Sequence, residues 1–123
     1  MDDANFRAGP LKFFERAPAP IRPFVVGMIR RKVRKIAHAQ GLGRHAPAEL
    51  QAMMARDLDA IADQLGEKPY FMGERATAAD ATIFAFITGV LCETFISPIR
   101  DAAASHANLV AYRDRLMREF YPN

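Results

Sequence analysis

The sequence predicts an all-α fold, a bundle of five to six helices around one buried central helix. Three observations carry this. Apolar residues recur at three- and four-residue steps through the long segments. Proline, glycine and a Thr-x-x-Asp pattern stand where such segments would start and stop. Finally, no two alternating segments flank a tight turn, as a strand pair would require. With 123 residues, half of them hydrophobic, the chain is long enough to bury one core.

The elements follow in order. Four of the eight prolines fall by residue 23 (Pro10, Pro18, Pro20 and Pro23), so residues 1–20 are expected to form an irregular leading segment with at most one short helix. Residues 21–123 form the helical domain. A first long helix runs from about Pro23 to Ala39 with Val26, Ile29, Val33, Ile36 and Ala37 as its apolar stripe, and Gly41 stops it. At about 100° per residue, Phe24, Met28, Arg31, Lys35 and His38 share the opposite face. The next helix starts at Pro47, carries Leu50, Met53, Met54, Leu58, Ile61 and Leu65, and ends at Gly66. Residues 67–73, with Pro69, Tyr70 and Phe71, read as an extended connection whose aromatics pack inward.

Thr77-Ala78-Ala79-Asp80 is the sharpest local signal. Thr77 and Asp80 have the spacing of an N-capping box, with each side chain reaching the other residue's amide. The run from Ala81 to Leu91 behind it is apolar nearly all round and is expected to be buried on most sides. Ser97-Pro98 and then Asn108 mark two further helix starts, the last leading into Leu109, Tyr112, Leu116 and Phe120.

Charge is unevenly placed. Residues 1–45 carry ten Lys/Arg against three Asp/Glu, and the remainder seven against eleven, for a net of +3. The excess sits in Arg30-Arg31-Lys32-Val33-Arg34-Lys35, and the acidic remainder argues against a general polyanion binder. One cysteine, Cys92, excludes a disulfide framework within the chain and suits a reducing compartment. The acidic start Met1-Asp2-Asp3 is unlike a signal peptide, and the uncharged run from Ala81 to Cys92 is far short of the roughly 20 residues of a membrane span. A cytoplasmic protein is expected.

The residues 73–81, Gly-Glu-Arg-Ala-Thr-Ala-Ala-Asp-Ala, resemble the stretch that opens the central helix of the glutathione S-transferase C-terminal domain. His106-Ala107-Asn108-Leu109 followed by Arg113 resembles that family's later helix start, with Ala107 where proline is usual. The stretch from Arg30 through His45 is similar to the failed-axon-connections and metaxin-like branch. In the family an apolar residue before the cap packs on another in the first helical turn. Here these are Ala76 and Ala81, so the contact is small. The resemblance covers about residues 20 to 121. It implies that the family's thioredoxin-like domain, with its glutathione site, has no counterpart in this chain. The chain would then be a C-terminal helical domain that provides the electrophile-side pocket and interdomain or dimer packing, inactive alone. Two alternatives stay open: a subunit or fragment of an active transferase whose thioredoxin-like half is supplied elsewhere, and a non-enzymatic metaxin-like interaction or tethering module.

No catalytic residue and no metal ligand is assigned. The cap role accounts for Asp80, Cys92 has apolar neighbours and reads as a buried structural thiol, and His38, His45 and His106 lack metal spacing. No cofactor belongs to this chain, and glutathione enters as co-substrate only if a thioredoxin-like domain is present. The basic helix has three readings: a solvated face, one wall of a ligand cleft, or a nucleic-acid or anionic-membrane surface. The resemblance favours the second, with Phe24, Met28 and Arg31 facing the ligand cleft and the missing domain. A thioredoxin-like domain, a homodimer partner and a small hydrophobic electrophile are the expected partners; nucleic acid and membrane are not.

Overall fold

Among the residues that the computed structural model describes, 3–14 and 18–122, the chain forms six α-helices, of which the third is bracketed by Pro47 and Gly66. They are α1 (Asp3–Ala8), α2 (Arg22–Ala39), α3 (Pro47–Leu65), α4 (Ala78–Val90), α5 (Pro98–Ser105) and α6 (Ala107–Phe120). Short 3-10 turns cover Pro10–Phe14 and Leu42–Arg44. Among the described residues there is no strand, and the chain is all-α. The leading segment is more ordered than its prolines suggest, since α1 and the first 3-10 turn occupy most of its described part.

The chain divides into two compact units, Met1–Leu50 with Thr94–Ile96, and Gln51–Glu93 with Ser97–Asn123. The second holds the larger core. Leu58, Ala62 and Leu65 of α3 cluster with Ile87 and Leu91, Ala103 of α5, and Leu109, Tyr112 and Leu116 of α6. The α3 residues stand at i, i+4 and i+7 and the α6 residues at i, i+3 and i+7, each set on one helical face.

Three expectations are corrected in this unit. The run behind Thr77 is not buried on most sides. Within α4 only Asp80 and Ile87 are fully buried, while Ala81, Thr82, Ala85, Phe86 and Gly89 are exposed. Residues 70–73 form a tight turn rather than an extended connection. The Tyr70 and Gly73 backbones exchange hydrogen bonds of 3.0 and 3.1 Å, and Tyr70 and Phe71 pack on the core. The helix start expected at Asn108 falls one residue earlier, at Ala107, with His106 as N-cap, and Asn108 has another task. Its amide instead donates to the carbonyls of Ala62 (2.9 Å) and Gly66 (3.2 Å), satisfying the end of α3, where Gly66 turns the chain at φ 54°.

The first unit is built on α2, which has no fully buried residue. Its predicted stripe is half-buried at Val26 and Ile29, but Val33 and Ile36 are 44 % and 46 % exposed. In the same unit, Asn5 clamps Ile96 by donating to its carbonyl (2.7 Å) and accepting from its amide (2.9 Å). The far end of α2 closes where the turn after Gly41 returns against the helix's last turn. A Cβ on Gly43 would stand 2.6 Å from the His38 nitrogen and 2.9 Å from the Ala37 carbonyl carbon. Because those atoms are backbone, Gly43→Ala is expected to lower stability by roughly 1–3 kcal/mol. Gly27, with nothing within 4 Å of its Cβ position, should gain about 0.5–1 kcal/mol as alanine from helix propensity. Denaturant midpoints of the two variants check the pair, and a harmless Gly43→Ala would contradict the close approach.

Candidate functional site

An open concavity runs along α2 in the first unit. It has a volume of about 1520 Å³, and its walls include Phe24, Met28, Arg31, Arg34, Lys35 and His38. Positions 24, 28, 31, 35 and 38 recur on one side of a 3.6-residue helix, and Arg30, Val33 and Ala37 from the other side add to the lining. Phe24 is 74 % and Met28 56 % exposed, an uncommon state for two large apolar side chains one turn apart. The helix contributes six Lys/Arg and no Asp/Glu.

Asp3 is the acidic residue on this wall, and it is committed. Its carboxylate accepts from the Arg30 guanidinium, which also lies over the Phe6 ring at 4.9 Å from the centroid. The hydrogen bond and charge of Arg30 hold the Asp3 carboxyl below the usual carboxylate range against the opposing effect of burial, with Arg7 and Arg34 adding lesser pulls in the same direction. Arg31, Arg34 and Lys35 have no ion-pair or hydrogen-bond partner among the described residues. The Asp3–Arg30 pair escaped the sequence reading because 27 residues separate its members and neither lies in a motif.

In the second unit Asp80 is the buried charged residue, 3 % exposed. One carboxylate oxygen accepts from the Thr77 amide (2.8 Å) and hydroxyl (2.9 Å). The other accepts from the Phe71 amide (2.7 Å) and the Tyr112 hydroxyl (2.9 Å). Burial pushes its pKa up, but these donors outweigh that and hold the carboxyl below its ordinary value. Burial and the neighbouring carboxylate push the Tyr112 phenol well up. With four donors around it, the Asp80 carboxylate has no free face for chemistry and reads as structural. The Thr77 pairing was within reach of the local pattern; the Phe71 and Tyr112 bonds were not.

Cys92 is not the buried thiol expected. It is half-exposed in a smaller hollow of about 520 Å³ shared with Thr88, Arg113, Asp114, Met117 and Arg118. His106 Nε2 lies 2.9 Å from an Asp59 carboxylate oxygen, bracing the start of α6 against α3.

The model of the glutathione S-transferase C-terminal domain family matches residues 54–116. Failed axon connections from Drosophila melanogaster is 27% identical over 88 residues, covering 69% of this chain and 21% of that protein. The isoprene-epoxide glutathione S-transferase of Rhodococcus sp. (strain AD45) is 23% identical over 83 residues, covering 68% of this chain and 35% of that protein. The matched part therefore spans about a fifth and a third of these two relatives. No solved structure gives a significant match.

Proposed function

Since the chain belongs to the glutathione S-transferase C-terminal domain family, we propose that it serves as the helical, electrophile-side half of a transferase-like protein. One observation supports this above others: Phe24, Met28 and Arg31 line one wall of an open concavity on a helix with no fully buried residue. An apolar pair beside a cation, left uncovered, suits a surface that a second domain closes over a small molecule. On this reading the opposite wall is a thioredoxin-like domain, of the same or another chain, and it brings glutathione as co-substrate. A homodimer partner is the other candidate for packing against the domain. The protein works in the cytoplasm; no helix among the described residues is long and apolar enough to cross a membrane.

The chain on its own should not conjugate glutathione, because the reading gives the task of ionising the thiol to the other half. Incubating it with glutathione and 1-chloro-2,4-dinitrobenzene is expected to give the uncatalysed rate. Conjugation above that background would overturn the proposal. A second reading, a non-enzymatic interaction or tethering module, uses the same uncovered face and is supported by the match to Failed axon connections beside the transferase. Retention on immobilised glutathione, once a thioredoxin-like partner is added, separates the two: the module needs none.

A further inference from the structure

We infer that the α2 cleft selects ligands that carry a negative charge on an apolar body, such as arylalkyl carboxylates, rather than neutral hydrophobic electrophiles. This rests on the cleft reading above and specifies its ligand.

The first support is the order of side chains along the wall. Phe24, Met28, Arg31 and Lys35 fall within an arc of about 60° on the helix, so they face one way. Arg31 lies about 4.5 Å and Lys35 about 10 Å beyond Met28 along the axis. The apolar pair comes first and the cations follow, which matches a molecule of a few carbons to a ring's length ending in an anion.

The second support is the charge balance of the wall. Arg30, Arg31, Arg34 and Lys35 line it together, and Asp3 is its acidic residue. Asp3 already accepts from Arg30. Arg34 lies within the field of Asp3, whereas Arg31 and Lys35 have no ion-pair partner among the described residues. While the face is open, water solvates them. A ligand seated along Phe24 and Met28 displaces part of that water, and cations that lose solvent without gaining an opposite charge are unfavourable. A neutral ligand would leave the deficit standing, whereas a carboxylate on Arg31 and Lys35 removes it through charge-assisted hydrogen bonds. Asp3 on Arg30 shows the same pairing made within the chain.

The test is a titration of the isotope-labelled full chain, followed by amide chemical shifts, with 4-phenylbutyrate and 4-phenylbutanol as matched probes. The carboxylate is expected to bind at least tenfold more tightly than the alcohol, to perturb residues 24–38, and to weaken with added salt. In the double variant Arg31→Ala/Lys35→Ala the preference should fall below threefold, through loss of affinity for the carboxylate. Circular dichroism verifies that this variant remains helical, as expected for exposed positions. Equal binding of both probes overturns the anion selectivity and leaves the cleft reading standing. Binding of neither, or perturbations confined to residues outside 24–38, overturns both.

Discussion

Asp80→Ala is expected to be the most damaging single substitution in the second unit, lowering stability by about 3–5 kcal/mol. The carboxylate is 3 % exposed and accepts from Phe71, Thr77 and Tyr112. Removing it leaves the buried Tyr112 hydroxyl and the part-buried Phe71 amide, Thr77 amide and Thr77 hydroxyl without their acceptor, a buried unsatisfied donor costing roughly 1–3 kcal/mol before relaxation. Urea denaturation of the variant measures this, and a loss below about 1 kcal/mol would show that water replaces the carboxylate. The same site sets an acid limb. The folded-state pKa of Asp80 lies below its ordinary value of 3.8, so its contribution to stability is fully present above that value. It is lost as pH falls through the lowered folded-state pKa. Stability of the native chain should therefore drop below about pH 4, and the drop should be shallower in Asp80→Asn. A matching alkaline limb is expected from Tyr112, whose raised pKa keeps the phenol neutral in the fold; that contribution fades as pH rises beyond 10.

Leu58→Ala should cost about 3–4 kcal/mol, within the roughly 2–5 kcal/mol span of buried leucine truncations. Leu58 has no exposed surface and lies in the cluster with Ile87, Leu109 and Leu116. Ile36→Ala removes a similar volume but should cost less than about 1 kcal/mol, because Ile36 is 46 % exposed. Both residues occupy equivalent places in an i, i+3, i+4 pattern, so the comparison asks whether burial or periodicity carries the energy. Thermal midpoints would decide it; equal losses would mean that Ile36 is covered in solution.

That contrast shows where the sequence is informative. Helix extents were legible because their signals are local. Pro47 and Gly66 bracket α3, Ser97-Pro98 opens α5 with a 3.2 Å bond from the Arg100 amide to the Ser97 hydroxyl, and Thr77 immediately precedes α4. Periodicity also put Phe24, Met28, Arg31, Lys35 and His38 on one face, and all five line the α2 concavity. What periodicity does not encode is which face gets covered. The stripe through Val33 and Ile36 is as regular as that through Leu58 and Leu65, yet it stays partly exposed. In α4 the difficulty is the opposite: a run apolar on every side has no phase, so nothing local tells Phe86 from Ile87. Long-range polar bonds are harder still. Asp80 with Tyr112 and Asn108 with Ala62 span 32 and 46 residues, and each requires the helices to be packed before the partners meet.

The Asn108 bond has a consequence for biosynthesis. The carbonyls of Ala62 and Gly66 are made more than forty residues before the amide that satisfies them. A nascent chain that stops short of residue 108 carries α3 without the Asn108 bonds, and it also lacks Leu109, Tyr112 and Leu116, a third of the buried cluster. Until then α3 and α4 present their apolar faces to whatever the ribosome exit offers, and a slow codon in that interval lengthens their exposure to chaperones. Translation of α6 thus closes the domain in one step, capping one helix as it completes the core.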